Sequence, residues 1–382
     1  MQHHIMLRRI RKILWHGFIV GNCSVILFCL LACLSPFLYA GKYPIIALLG
    51  LGFPLLYAAN FLLGVYWIFK KSKWLWASVF ILLAGLYQFT MIFGLHIFGN
   101  FEDTRPTGSL RIATWNLSSW GITKRNNPEK INYRQEMTEV LRKANADIIC
   151  LQEYNFLKEQ TFRDSIIPEL KQQGFNYFLF ARTRYTMHLY HSVHVTGVAI
   201  ASRYPLTDTA RFEYGADDYA EPLIYGDVQF GGQTIRIITT HLESVRFDAY
   251  NYEALHNLKD PVNASVTQFR AVAGKLKRAY KKRSSQAEFL HQKITESPYP
   301  VIVCGDFNDV PGSYTYYTAK GNLQDAFLHA GFGFGRTYRF ISPTLRIDYI
   351  LADKKFKVEQ YKKIEVNYSD HYPVIADVSI KN

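Results

Sequence analysis

Eight polar residues lie beside short apolar runs, where a β-sheet would expose them along one rim. They are Asn116, Glu153, His241, Asp306, Asn308, Asp348, Asp370 and His371. Each alone has an ordinary structural explanation, because Asn and Asp form turns and a single His is more often structural than catalytic. Together they supply carboxylates, amides and two imidazoles, a combination suited to hydrolytic chemistry.

The oxygen-rich composition of this set favours metal-assisted cleavage of a phosphoester. Hard oxygen ligands suit Mg²⁺, which binds few carboxylates and leaves sites for water and substrate phosphate. Glu153 is the natural ligand. The reaction needs the phosphate oxygens polarised, a water activated and the leaving oxygen neutralised. A buried Asp fixes the tautomer of a neighbouring His, and we assign that role to Asp348 towards His371.

The motifs that carry these residues resemble, in order, those of the endonuclease/exonuclease/phosphatase superfamily. The motifs occupy residues 113–116, 149–153, 239–243, 305–308, 346–350 and 369–373. Superfamily members include pancreatic-type DNases, abasic-site endonucleases, neutral sphingomyelinases and inositol polyphosphate phosphatases. The resemblance covers about residues 109–381. It implies a four-layer α/β sandwich, in which two packed mixed sheets are flanked by helices.

The resemblance also implies how the metal and the phosphate would be bound. Glu153 would be the main Mg²⁺ or Mn²⁺ ligand, Asn116 would contact metal or phosphate, and Asp370 would assist metal or water binding. His241 would contact the scissile phosphate, with a role as acid left open, and Asn308 would hold a phosphate oxygen.

The remaining three residues would complete the chemistry. Asp306 would orient the nucleophilic water. His371, held by Asp348, would act either as a base or as a stabiliser of the transition state, and the sequence leaves these two roles open.

The pattern of elements agrees with an α/β domain. Strands are predicted at 110–115, 147–152, 196–202, 234–240, 300–304, 346–351 and 373–380, and helices at 131–145 and 265–293. The strand runs are rich in Ile and Val, and several end in polar residues. The basic run 275–283 fits either a solvated helix face or a phosphate-rich partner.

The first hundred residues predict a membrane anchor. Three uncharged apolar stretches, at 16–40, 44–69 and 75–98, each reach the ~20 residues needed to cross a bilayer. We therefore divide the chain into an anchor (1–98), a linker (99–109) and a catalytic domain (110–382).

The charge distribution supports this division. Residues 1–100 hold eight basic and no acidic side chains, whereas the other 282 residues hold 36 basic and 31 acidic ones. The high pI is therefore mostly a membrane signal and does not indicate nucleic-acid binding. Basic residues precede the first stretch and separate the second from the third. By the positive-inside rule, the N-terminus and the loop between the second and third stretches lie in the cytoplasm. We expect a bacterial inner-membrane protein whose catalytic domain lies on the extracytoplasmic side.

The substrate class stays open at this level, between nucleic acid and a phospholipid or sphingolipid head group, and between diester and monoester. A membrane-tethered binding module that has lost activity is the competing hypothesis, although none of the eight residues is missing. No obligate protein partner is evident. Substrate specificity would be determined by the segments 182–194 and 243–263, which depart from the superfamily pattern.

Overall fold

The computed structural model describes residues 2–97, 99, 101–124, 127–159, 166–189, 192–215, 220–246 and 266–381. The helices in these ranges are α1 (Gln2–Cys33), α2 (Pro44–Leu51), α3 (Phe53–Phe69), α4 (Trp74–Ala84), α5 (Leu86–Ile92), α6 (Arg134–Ala144), α7 (Ile167–Gln172), α8 (Val266–Thr295), α9 (Tyr314–Lys320) and α10 (Ala326–Ala330). The strands are β1 (Gly94–Leu95), β2 (Ser109–Asn116), β3 (Ile148–Leu157), β4 (Tyr177–Leu189), β5 (Ser192–Ser202), β6 (Thr207–Phe212), β7 (Leu223–Phe230), β8 (Gln233–His241), β9 (Val301–Asp306), β10 (Gln324–Asp325), β11 (Phe332–Gly333), β12 (Asp348–Ala352), β13 (Phe356–Lys363) and β14 (Val374–Ile380).

Two six-stranded mixed sheets form the centre of the catalytic domain. Their strand orders are β13-β14-β2-β3-β5-β4 and β10-β12-β9-β8-β7-β6. Each sheet has one parallel pair at its middle, β2 with β3 and β8 with β9, and the other pairs are antiparallel. Parallel neighbours end at the same edge, so the last residues of these central strands come together.

Apolar side chains from both sheets meet in one core. Ile112 and Ile148 of the first sheet pack with Ile237 and Ile302 of the second, and all four are fully buried. The outer faces are covered by α6 and α7 on one side and by α8 and α9 on the other. The four-layer α/β sandwich expected from the sequence is confirmed.

All seven strand regions predicted from sequence contain a strand, and both predicted helices are present as α6 and α8. The sequence prediction missed β4, β6, β7 and β13 and the two-residue strands β1, β10 and β11. Strand β6 is mostly exposed and lies at the edge of its sheet, so it lacks the continuous apolar run that marks a strand buried on both faces.

Helices α1 to α5 form the apolar N-terminal part. Residues 6–33 of α1 are long and apolar enough to cross a membrane on their own. The second and third predicted stretches are each a bent pair of helices, with angles of 63° between α2 and α3 and 49° between α4 and α5. Pro54 explains the first break, because it lacks the N–H that a continuous helix needs and its ring crowds the preceding turn.

The bounds of the apolar stretches differ from the sequence expectation. The first helix ends at Cys33 rather than continuing to residue 40, and the last one ends at Ile92 rather than at 98. Residues 94–95 instead form β1, which pairs with β11 of the catalytic domain. Some of these flanking residues pack against the catalytic domain, such as Phe93 on Phe332 and Ala40 on Tyr280. Leu95 and Ile97 are largely exposed.

The N-terminal helices contact the catalytic domain directly. Met91 belongs to the same buried cluster as Leu290 and Phe307, and its carbonyl accepts a hydrogen bond from Arg346. The Ser35 hydroxyl donates to the Gly312 carbonyl at 2.6 Å. These contacts fix the two parts against one another.

Candidate active site

The ends of the central strands carry the polar residues singled out above. Asn116 ends β2, His241 ends β8 and Asp306 ends β9. Asp348 begins β12 and lies opposite Asp306 in the ladder. The segment with His371 precedes β14 and is tied to β2, since the Trp115 indole donates to the His371 carbonyl at 3.0 Å.

Asp306 lies at the centre of the site and is fully buried. Its Oδ2 accepts a hydrogen bond from Asn116 Nδ2 at 2.9 Å, while its Oδ1 accepts from the Asn308 backbone N–H at 2.8 Å. The same Oδ2 lies 3.5 Å from His241 Nε2 and 3.7 Å from His371 Nε2. One carboxylate oxygen therefore faces both imidazoles.

Close approach of β8 and β9 makes this arrangement possible. A Cβ on Gly305 would lie 2.1 Å from the Thr240 carbonyl oxygen, so only glycine fits beside the parallel partner strand. The tight pairing brings His241 and Asp306 into register at the sheet edge.

His371 is oriented by Asp348. Its Nδ1 lies 2.9 Å and 3.1 Å from the two carboxylate oxygens of Asp348, and both residues are buried. This contact places a proton on Nδ1 and turns Nε2 towards Asp306. The ring of Tyr338 packs edge-on against the imidazole, with centroids 5.1 Å apart.

His241 is oriented in the same way by Glu221, whose Oε2 lies 3.0 Å from its Nδ1. The Asn308 side-chain nitrogen lies 2.9 Å from His241 Nε2 and donates to the Leu242 carbonyl, also at 2.9 Å. With Nδ1–H directed at Glu221, Nε2 accepts from Asn308, which is the neutral form of the ring.

Glu153 reaches the site through an irregularity in β3. The register between β3 and β5 shifts between Leu151 and Tyr154, and Glu153 has a φ of 48°. A β-bulge of this kind re-aims a side chain, and such strain is common at functional sites. The Glu153 carboxylate accepts a hydrogen bond from Asn116 Nδ2 at 3.2 Å.

Comparison with known proteins decides the family. A family model described as "Endonuclease/Exonuclease/phosphatase family" matches residues 113–371. This chain belongs to the endonuclease/exonuclease/phosphatase family. A second model, described as a domain of unknown function (DUF8431), matches residues 11–92.

Solved structures show the same fold. An endonuclease/exonuclease/phosphatase from Beutenbergia cavernae DSM 12333 is 19% identical, with a TM-score of 0.52, over 71% of this chain and 72% of that one. The human Nocturnin catalytic domain with bound sulfate anion is 20% identical, with a TM-score of 0.52, over 74% of this chain and 97% of that one. No curated protein matches this chain.

The electrostatics of this endonuclease/exonuclease/phosphatase site favour charged imidazoles. Burial lowers the pKa of His241, but the charges of Glu221, Asp306 and Glu153 outweigh it and raise the pKa to about 9. The hydrogen bond from Asn308 to Nε2 works in the opposite direction, since it needs an unprotonated nitrogen. His241 is therefore poised to take up a proton once Asn308 finds another partner.

Burial and the neighbouring charges also act on the other groups. Burial lowers the pKa of His371, but Asp348 and Asp306 together hold it well above its ordinary value. Burial raises the pKa of Asp306. Desolvation likewise raises the pKa of Glu153 to about 7, and the like charges of Asp370 and Glu221 add to the shift.

The donor chemistry fits a divalent cation. Asp306, Asp348 and His371 each offer one ligand atom within 4.8 Å of the others. Asp348 and His371 already satisfy each other, whereas Glu153 and Asp370 face a cavity and repel one another. A cation held by oxygen ligands offsets that repulsion, so the residues present fit Mg²⁺ or Mn²⁺.

The structure brings all eight sequence-predicted residues to one edge of the sandwich. Asp370 is the most peripheral of those near His371, with its Oδ1 4.0 Å from His371 Nε2. The amide oxygen of Asn116 accepts from the Ser118 N–H, and its nitrogen faces Glu153 and Asp306. Asn116 thus aligns two carboxylates, and its role as a metal or phosphate contact remains a prediction.

Sequence reasoning missed Glu221. It directly precedes a proline and a strand, and nothing in the local pattern separates it from an ordinary surface glutamate. The available signal was chemical, because His371 had an assigned acidic partner and His241 had none.

Of the two proposed substrate segments, residues 190–191 and 247–263 lie outside the described part of the chain. The Lys275–Arg283 run is partly structural, since Arg283 is buried and donates to the Glu243 carbonyl.

Proposed function

We propose that this protein is a membrane-anchored phosphoesterase that uses Mg²⁺ or Mn²⁺ and hydrolyses a phosphodiester or phosphomonoester. The observation that carries the proposal is the convergence of two carboxylate-oriented imidazoles on Asp306, beside a cavity that Asp306 and His371 line. Membership of a family whose name describes nucleases and phosphatases supports the same reaction type.

Glu153 would hold the cation, with Asp370 beside it. When bound, the ion would supply positive charge that polarises the phosphate oxygens and makes the attacking water more acidic. Asn116 keeps the Glu153 and Asp306 carboxylates in place through its two N–H bonds.

Asp306 orients the attacking water and takes its proton as the new bond from oxygen to phosphorus forms. His371 directs Nε2–H at a non-bridging phosphate oxygen and stabilises the growing charge, while Asp348 keeps the imidazole charged and correctly turned. Of the two roles that the sequence left open for His371, we assign it the stabiliser of the transition state, because a protonated ring cannot act as a base.

The phosphate draws the Asn308 amide away from His241, which then takes up a proton from solvent on Nε2. That proton passes to the leaving oxygen as the ester bond breaks. The proton on Asp306 passes to His241, whose Nε2 is 3.5 Å away, and is released to solvent when Asn308 donates to Nε2 again, which restores the resting state.

The charges on the N-terminal helices support an extracytoplasmic catalytic domain. Arg8, Arg9, Arg11 and Lys12 lie near the start of α1, and Lys70, Lys71 and Lys73 flank the turn between α3 and α4. Contacts to the catalytic domain come from residues near the opposite helix ends, including Ser35 and Met91.

The first test is hydrolysis of bis-p-nitrophenyl phosphate and p-nitrophenyl phosphate by the full-length protein in detergent, with Mg²⁺, with Mn²⁺ and with EDTA. We expect metal-dependent activity that is lost in Asp306→Asn. A well-folded protein that hydrolyses neither ester with any divalent metal would support the inactive binding module instead.

A further inference from the structure

The cavity in front of the catalytic residues extends to the N-terminal helices. Its volume is about 980 Å³, far larger than a phosphate group needs. Asp306 and His371 line one part of it, and Leu48 and Leu51 of α2 line another. The active site is therefore bounded on one side by a helix that belongs to the apolar anchor.

Helix α2 is held firmly in this position. Ala40 and Ala47 pack with Tyr280 of α8 in a buried cluster. The Tyr39 hydroxyl lies 2.9 Å from the Ser285 hydroxyl, and Gln88 donates to the Ser35 hydroxyl, which itself donates to the catalytic domain. The cavity wall formed by Leu48 and Leu51 is thus part of the folded structure.

With the N-terminal helices in a membrane, as proposed above, the orientation of α2 would put the cavity at the level of the membrane surface. This eight-residue apolar helix bends by 63° away from α3, on the side of the bundle where the catalytic domain packs. Ile45, on the same helix, is 74% exposed. An exposed apolar side chain at the end of a membrane bundle is typical of burial among lipid head groups and upper acyl chains.

The cavity lining is both charged and apolar. Lys124 and Arg246 line it together with the acidic catalytic residues, while Leu276, which packs in the cluster of Ala47 and Tyr280, adds to the apolar wall beside α2. A ligand that fits both parts has a negatively charged phosphate at one end and an apolar chain at the other.

We infer that the substrate is a membrane lipid with a phosphoester head group, which enters from the bilayer with its acyl or prenyl part against Leu48 and Leu51. This inference rests on the proposed function and names its substrate class. Water attacks the head-group phosphorus, the new oxygen–phosphorus bond forms, and one existing ester bond breaks with transfer of a proton to the leaving oxygen. A nucleic acid would leave the apolar wall in contact with water.

The test uses three esters with the same leaving group: methyl, hexadecyl and thymidyl p-nitrophenyl phosphate. The full-length protein is assayed in lipid nanodiscs, and kcat/KM is measured for each ester. We expect a clear preference for the hexadecyl ester. In Leu48→Ser and Leu51→Ser the ratio of hexadecyl to methyl kcat/KM should fall on the order of tenfold, because apolar contact area is lost. Leu62→Ser is the matched control, since it changes an exposed leucine of α3 that lies outside the cavity lining, and its ratio should stay at the wild-type value.

The outcomes separate the two proposals. If none of the esters is hydrolysed, the proposed function itself fails. If the methyl ester is hydrolysed but the hexadecyl ester is not preferred, or if the ratio does not respond to Leu48 and Leu51, the lipid inference is overturned while the phosphoesterase stands. A preference for the thymidyl ester would assign the cavity to nucleic acid. Thermal melting of each variant confirms that it is folded.

Discussion

His371 Nδ1 lies 2.9 Å from Asp348 Oδ2, and both side chains are buried beneath the active-site cavity. Removing either partner destroys the same oriented imidazole, so the two residues should act as a unit. We expect Asp348→Asn and His371→Ala each to lower kcat by orders of magnitude, and the double variant to be little worse than His371→Ala. Steady-state kinetics with bis-p-nitrophenyl phosphate measure this. A loss in the double variant equal to the product of the two single losses would show independent roles.

Glu221 should set the alkaline limb of the pH–rate profile. Protonated His241 donates to the leaving oxygen, so activity falls as pH rises through its pKa of about 9. Replacing Glu221 by Gln removes a negative charge, lowers that pKa and moves the alkaline limb to lower pH by about one unit. The measurement is kcat against pH. Glu213→Gln, which changes a surface carboxylate of the same region, is the control and should leave the profile in place. An unmoved limb in Glu221→Gln contradicts the assignment.

Metal affinity should depend on pH through Glu153. Its carboxyl must lose a proton before binding a cation, and desolvation raises its pKa to about 7. Below pH 7 the apparent affinity for Mg²⁺ should therefore fall about tenfold per pH unit, and above pH 7 it should level off. Titration calorimetry with Mg²⁺ measures the affinity without turnover. Glu153→Gln should weaken binding at every pH and lower kcat by several orders of magnitude, whereas Glu296→Gln should match the wild type.

The proposed topology has a direct test. Alkaline phosphatase fused after residue 382 should be active, because it folds with disulfides only outside the cytoplasm, and green fluorescent protein fused there should be dark. The opposite pattern would place the catalytic domain in the cytoplasm and would contradict the topology inferred from the basic residues.

The sequence singled out side chains that the fold brings to one edge of the sandwich, because chemistry restricts residue types, and their assignment as active-site residues stays a prediction. Asp306 ends β9, whose residues 301–304 form a continuous apolar run, and His241 ends β8, in which three isoleucines lie among polar residues. Apolar runs of this kind predict strands that are buried on both faces. The pairing of Asp348 with His371 was inferred from chemical need, and the structure has the two in contact. Which role each residue plays stays a prediction.

Other features depended on packing that a linear pattern does not record. The bulge that turns Glu153 towards the cavity is set by the register of β3 against β5. Glu221 reaches His241 only because β7 and β8 are neighbours. The position of Leu48 beside the catalytic cavity requires the whole fold, since hundreds of residues separate it from His371.

The burial of Met91 in the core of the catalytic domain has a consequence for how the two parts of the chain can evolve. Met91 packs with Leu290 and Phe307, and β1 pairs with β11. The contacts at the boundary between the two parts therefore depend on the particular residues of the N-terminal helices. A different helix joined to the catalytic domain at this point would leave a cavity where Met91 packs and would leave β11 without its partner strand. The two parts are thus bound to change together, and a helix from an unrelated protein cannot simply take the place of this one.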